Sequence, residues 1–361
     1  MRLVYALGVF IPVAIVLDLA GAPDTAIFFT AALGVIPTAA LMGRATEELA
    51  AQSGPGIGGL LNVTFGNAPE LIIALFALGK GLQEVVKASI VGSIISNILL
   101  VLGAAMFFGG WKREKQIFNR TMAHSQAAML LLALVAVVMP ALFELIRGAG
   151  LPAVGDTRVD YGSKVETVSA IVSGVLLLSY AAGLFFSLRT HRELFNPYLE
   201  DEEAKEAAAW SVRRSVLLLA AAGGGVALMS ELLVGSIEHA AKSVGLSQFF
   251  IGVVVVAIVG NAAEHWVAVL VALKDKMDLA VNIAVGSSAQ VALFVAPILV
   301  LVSFVIGPHP MALVFNGYEV TALLLAVIIA NFTTQEGESN WFEGLQLLGV
   351  YVVLGVVFAF A

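Results

Sequence analysis

The chain contains no cysteine, which excludes disulfides, thiolate chemistry and cysteine-held zinc. Charge is scarce as well. Asp, Glu, Lys and Arg together make up 12% of the 361 residues, about half the share of a soluble domain. Positive charge is short in particular: the net charge is −7, whereas phosphate binding needs a basic footprint, so no nucleic-acid partner is expected. Imidazole is limited to five histidines. What the chain has instead is apolar side chains, at 60% of the residues, with a mean hydropathy of +0.96. That is too oily for a surface facing water. It excludes a soluble globular enzyme and a disordered chain, and it names the lipid bilayer as the surroundings. Met1–Arg2 leads straight into an apolar run, so no cleavable leader is expected.

Apolar runs long enough for membrane helices fall at Leu3–Ala20, Ala26–Leu49, Gly56–Gly79, Val85–Gly109, Met122–Leu145, Val168–Leu188, Val216–Ile237, Phe249–Leu273, Leu279–Ile306, Met311–Ala330 and Trp341–Ala361. The tenth is the weakest, because Asn316, Gly317 and Glu319 interrupt it. The runs show no in-out alternation, so a barrel is excluded. The expectation is an all-α polytopic membrane protein with eleven transmembrane helices. With the N-terminus placed in the cytoplasm, the loops on its side carry 13 Lys and Arg residues and the opposite loops 6, Lys87 being counted among the latter. The positive-inside rule then sets the N-terminus inside and the C-terminus outside.

The sequence repeats itself. Gly66-Asn67-Ala68-Pro69-Glu70 is matched by Gly260-Asn261-Ala262-Ala263-Glu264, and each is followed by Gly-Ser, at Gly92-Ser93 and Gly286-Ser287. Glu to Ser is 23 positions in both copies. Two motifs at two equal spacings define a five-helix unit, at residues 26–188 and 215–361. An extra N-terminal helix occupies 1–25, and a polar connector, 189–214, joins the copies. An odd number of helices per unit inverts the second copy in the membrane, the plan of secondary transporters with a midplane site.

Glu70 and Glu264 sit deep in apolar runs, where a carboxylate costs a few kcal/mol or more. Lys87 being counted with the loops, no basic residue stands inside the apolar part of the spans to pair with them. Asn67 precedes Glu70 by three residues, as Asn261 precedes Glu264, so each pair shares a helix face. Gly66 and Pro69 loosen the backbone beside the first carboxylate, and freed carbonyls are tolerated in a membrane only beside a cavity or ligand. The following helix of each copy adds Ser93 and Asn97, or Ser287 and Gln290, among small residues. Carboxylates, amides, hydroxyls and carbonyls without sulfur describe a hard-cation site, and flexible oxygen donors suit calcium better than magnesium. Without the ion, the same carboxylates would take up protons. Any one of the Ser, Asn and Gln residues serves equally well as glue between helices. Glu47, Glu48 and Glu231, near helix ends, are either solvated or line an access vestibule. His265, about 100° round the helix from Glu264, reads as a supporting residue, and His124 as interfacial. Gly223-Gly224-Gly225 lacks the Lys-Ser/Thr of a phosphate loop and reads as helix packing. The acidic run Glu200–Glu206 reads as a solvated linker.

These segments, with Gly92-Ser93-Ile94-Ile95-Ser96-Asn97 and Gly286-Ser287-Ser288-Ala289-Gln290, resemble the signature motifs of the calcium/proton antiporter family, part of the calcium:cation antiporter superfamily. The resemblance runs through both copies, roughly from Arg44 to Pro297. It implies eleven helices, an acidic stretch between the halves and exchange of cytosolic Ca2+ for protons. It also implies Glu70 and Glu264 as the ion- and proton-binding carboxylates, flanked by Asn67 and Asn261. The carbonyls around Gly260–Ala262, with Ser93, Asn97, Ser287 and Gln290, would complete the lining. Related sodium/calcium exchangers place a Ser or Thr after the motif glycine and often an acid on the neighbouring helix. Here Asn67 and Asn261 take the first position and neither following segment holds an acid, which favours protons as counter-ion. The expected function is therefore Ca2+ export by exchange for protons, without enzymatic activity and without a cofactor beyond the transported ions. A sodium/calcium exchanger is the alternative, and a cation channel a more distant one. An intramembrane hydrolase lacks its nucleophile–base pair. Oligomeric state is not legible in the sequence. The short termini suggest a prokaryotic cytoplasmic membrane.

Overall fold

The computed structural model describes residues 2–156, 162–190 and 210–361; the acidic run Glu200–Glu206 lies outside them. The chain is an all-α polytopic membrane protein. Helix α1 covers Val4–Leu19, α2 Asp24–Gly66, α3 Ala68–Gly79, α4 Gln83–Gly110, α5 Arg120–Ile146 and α6 Ser163–Phe185. Then follow α7 Val212–Val244, α8 Gln248–Leu273, α9 Met277–Val302, α10 Gly317–Thr334 and α11 Trp341–Ala359. Among the described residues nine helices are long and apolar enough to cross a membrane, or ten if the bent pair Leu60–Gly66 and α3 counts as one crossing. Helix α1 is apolar but shorter. Within α2 the membrane-length part is Asp24–Ser53. A Cβ on Gly58 would strike the Ala50 carbonyl, the mark of a chain that folds back between the two.

Two compact units divide the chain. The first comprises Met1–Phe76, Ser179–Val244 and Val259–Ala263. In it α2 and α7 approach closely through glycine: a Cβ on Gly34 would lie 2.7 Å from Met229 Sδ, and one on Gly225 2.8 Å from Thr38 Cγ2. Small residues permit such approach where no hydrophobic drive separates helix from lipid. Met42, Ala68, Ala222 and Val226 form a buried cluster there.

The second unit comprises Ala77–Leu178, Gly245–Ile258 and Glu264–Ala361. Its α4 lies backbone to backbone on the start of α8, Gly92 against the Val253 carbonyl and Gly252 against Ala88. Gly103 and Gly344 do the same between α4 and α11. The segment after α4 forms β1, Gln116–Ile117, paired antiparallel with β2, Glu338–Ser339. Ion pairs Arg113–Asp275 at 3.2 Å and Lys115–Glu338 at 2.9 Å flank this clip. At the other end of α4, Gln83 donates to the His309 carbonyl at 2.7 Å and Glu84 accepts the Gly155 N–H at 2.7 Å. The side chains of Asn119, Ser247, Asn316 and Asn340 cap the starts of α5, α8, α10 and α11, satisfying backbone donors that lipid cannot.

Two expectations are corrected. The tenth apolar run does not start as helix: Met311–Asn316 is a non-helical strap, and α10 begins at Gly317. Asn316 and Glu319 form a reciprocal cap, which fixes the helix start after the apolar residues. Lys87, counted as a loop residue, lies inside α4 and is buried.

Candidate ion-binding site

In the first unit the Gly66-Asn67-Ala68-Pro69-Glu70 motif is a helix break. Asn67 leaves helical geometry at φ −95°, ψ 16°. The helix resumes at Ala68, with the axis bent by 43°. Proline is tolerated in that first turn, where its missing N–H has no helical partner to lose. Leu71 N–H donates to the Asn67 carbonyl at 3.1 Å. Glu70 falls in the first turn of α3, where the helix dipole favours negative charge. Gly260, from the second copy's motif, lies on this carboxylate: a Cβ built there would be 3.0 Å from Glu70 Cγ. Within this unit, then, the two signature motifs touch, and the glycine leaves room for the acid. Asn67 and Asn261 are each 1% exposed.

In the second unit Ser287 Oγ donates to Glu264 Oε2 at 2.9 Å. The equal Glu-to-Ser spacing is here a hydrogen bond between α8 and α9. Asn97 Oδ1 lies 3.3 Å from His265 Nε2, joining α4 to α8. Ser288 Oγ sits 3.4 Å from the Ile94 carbonyl and donates to Ala284 O at 2.9 Å, so α4 and α9 also meet. Ser93 is buried and Gln290 half-buried. Unlike the first copy, α8 is not broken at its motif: Ala257–Leu273 is continuous helix. The irregularity comes one turn earlier, as a π turn at Ile251–Val256. Further π turns lie at the end of the first copy's second segment, at Ser96–Val101, after that of the second copy, at Val291–Val295, and before Ser287, at Asn282–Gly286. Such turns shift the helical hydrogen-bond ladder and are frequent at functional sites.

The acids near helix ends have other surroundings. Glu48 accepts the Trp210 N–H at 3.1 Å and pairs with Arg44 at 3.9 Å. Gln52 Nε2 donates to the Trp210 carbonyl at 2.5 Å. The Trp210 ring lies 4.7 Å from the Arg44 guanidinium and 4.9 Å from that of Arg214. Together these side chains clasp the segment that leads into α7. Glu47 is exposed within α2, and Glu231 is exposed within α7, which runs on to Val244. Sequence reasoning missed Trp210 because its partners are set by folding and not by spacing. It also missed the Gln126–Asn282 amide pair, at 2.5 Å between α5 and α9, although two amides in apolar runs were a visible signal. Among the described residues no three His, Cys, Asp or Glu side chains gather as a metal cage. The remaining oxygen donors near the motif acids are amides, hydroxyls and backbone carbonyls.

Comparisons with known proteins identify the relatives of this chain. The sodium/calcium exchanger protein family matches residues 24–189 and 214–360. A Ca(2+)/H(+) antiporter of Aphanothece halophytica is 42% identical over 99% of this chain and 96% of its own length. The Ca(2+)/H(+) antiporter ChaA of Bacillus subtilis is 43% identical, with 96% of each chain covered. The solved structure of native YfkE, 38% identical, superposes with a TM-score of 0.82 over 100% of this chain and 99% of its own. With both signature motifs in place and full-length relatives of this similarity, the chain belongs to the sodium/calcium exchanger protein family and, within it, to the calcium/proton antiporters.

Proposed function

We propose that this protein exports cytosolic Ca2+ in exchange for protons by alternating access, with Glu70 and Glu264 as the carboxylates that take either ion. Asn67, Asn261, Gly260, Ser93, Asn97, Ser287 and Gln290 would supply the remaining oxygens. The observation that carries this reading is the duplicated motif: one acid per copy, and in the second copy a motif serine donating to it at 2.9 Å. Its full-length relatives, named as Ca(2+)/H(+) antiporters, support calcium and protons as the pair of ions. Two ionised carboxylates balance one divalent cation, and two protons neutralise the same acids. A site left empty and doubly charged would carry bare carboxylates through low dielectric, which is strongly disfavoured. Loaded states cross and the empty state does not, so the flows are coupled. No acid stands among Ser93–Asn97 or Ser287–Gln290, which speaks for protons over sodium.

The repeat boundaries proposed are residues 26–188 and 215–361, with the extra helix at 1–25 and the connector at 189–214. The two stretches matched by the family, 24–189 and 214–360, support them. With Lys87 buried, the basic loop residues number 13 against 5. With the eleven crossings and the prokaryotic cytoplasmic membrane proposed here, that bias supports a cytoplasmic N-terminus and connector and a C-terminus on the opposite face.

The test is Ca2+ flux into proteoliposomes driven by a pH gradient, with and without sodium. Sodium-independent uptake is expected. Glu70→Gln and Glu264→Gln are each expected to abolish it, and normal uptake in both variants would overturn the assignment. Uptake that follows a sodium gradient at fixed pH would instead identify a sodium/calcium exchanger.

A further inference from the structure

The strap Met311–Asn316 poses a physical problem. Met311, Ala312, Leu313, Val314 and Phe315 are each 0% exposed. Non-helical backbone buried away from water persists only where other groups satisfy it. Here side chains from distant helices and from the strap's own flanks do so. Met311 N–H donates to Ser303 Oγ at 2.7 Å, and Leu313 N–H to Ser169 Oγ at 3.0 Å. Lys87 Nζ donates to the Val314 carbonyl at 2.9 Å. Asn316 N–H donates to Glu319 Oε2 at 2.8 Å, and Glu319 N–H to Asn316 Oδ1 at 2.9 Å.

Two of these partners are ionisable and buried, Lys87 and Glu319. Lys87 holds the strap at Val314 and Glu319 holds it at Asn316; their opposite charges attract across it, with Glu84 and Asp156 adding to the negative field at Lys87. A lone ammonium or carboxylate in this setting would be strongly disfavoured; breaking such a pair leaves an uncompensated charge.

The internal repeat sharpens the point. Equivalent residues of the two copies stand 194 positions apart, as Glu70 and Glu264 do. Helix α4 thus corresponds to α9, and α10 to α5. Lys87 and Glu319 correspond to Val281 and Ser125, which cannot form an ion pair. The corresponding pair of helices is instead joined by Gln126 Nε2 donating to Asn282 Oδ1, one residue further along each helix. Each cross-copy pair carries a polar lock, charged in one and neutral in the other.

We propose that Lys87 and Glu319 form a positioning clasp. Together they pin the strap and fix the axial depth of α4, which carries Ser93 and Asn97, against α10. Neither residue contacts the transported ion; both act through the elements they hold. The proposal rests on the functional reading above only for its uptake measurement.

The experiment compares purified full-length parent, Lys87→Met, Glu319→Gln and the double variant. Backbone hydrogen exchange across residues 311–319 is expected to accelerate at least tenfold in each single variant. The loss of transition temperature in the double variant is expected to be clearly smaller than the two single losses combined. A single variant that fails to fold while the double folds is the same non-additivity in extreme form. In proteoliposomes the double variant, still lacking the ammonium on Val314, is expected to need at least threefold more Ca2+ for half-maximal uptake, with its maximal rate within twofold of the parent. Additive temperature losses, an unchanged exchange rate in the strap, or an unchanged Ca2+ requirement in the double variant would each overturn the clasp. A parent without proton-driven uptake would defeat the functional reading and not the clasp, which exchange and temperature would then decide.

Discussion

Gly260 shapes the site through the side chain it lacks. Its Cα hydrogen faces Glu70, and a methyl group there would stand 3.0 Å from Glu70 Cγ, closer than carbon atoms pack. Gly260→Ala is therefore expected to displace the carboxylate and lower Ca2+ uptake at least tenfold. Gly223→Ala is the control. A Cβ there meets nothing within 4 Å, so uptake should stay within twofold while helix stability rises by about 0.5–1 kcal/mol. Ser287→Ala removes the hydroxyl that donates to Glu264. That hydroxyl holds the carboxylate in place between α8 and α9, so half-maximal uptake should need several-fold more Ca2+ in the variant. An unchanged requirement would mean the hydroxyl acts only in packing. Both acids, both asparagines and the motif serines were legible in the sequence because duplication marks them twice. Gly260 was legible as a motif residue, but its contact with Glu70 joins the two copies and has no spacing to betray it.

Among the elements, the bent α2–α3 junction and the strap show what periodicity can and cannot deliver. Gly66 and Pro69 announced a weak point in the helix, and the break lies between them at Asn67. Met311–Phe315 announced nothing. Five apolar residues with no breaker among them read as the start of a span, and only Ser169 and Lys87, remote along the chain, with Ser303 eight residues before the strap, make the non-helical backbone tenable. Lys87 was misplaced for the same reason: four residues into α4, a lysine reads as interfacial until its acceptor in the strap, the Val314 carbonyl, is known. The Trp210 clasp is a third element built from such remote partners. Two cation–π contacts at partly exposed sites are worth about 0.5–1 kcal/mol each. Trp210→Ala should thus cost about 1–2 kcal/mol of stability, read as a lowered transition temperature in detergent, with Trp210→Phe intermediate. An unchanged temperature would show that the guanidinium contacts add nothing to the hold of Glu48 and Gln52.

At the scale of the whole molecule, composition alone identified a helical membrane protein, and the basic residues of the loops implied its orientation. The lack of cysteine makes that orientation measurable. Lys112→Cys and Ala153→Cys, both exposed positions, are expected to react with an impermeant maleimide from opposite faces of sealed vesicles, Lys112→Cys from the cytoplasmic one. Reaction of both from one face would overturn the proposed topology. The late start of α10 bears on the surrounding lipid. At 18 residues it is about 27 Å long, slightly less than the ~30 Å of a typical hydrocarbon core, because the strap keeps the preceding apolar residues inside the protein. Short helices draw the leaflets together around them. Acyl-chain length thus becomes a mechanical load applied at Asn316, where strap meets helix: short-chain lipids should relax that joint, and long-chain lipids should stretch it.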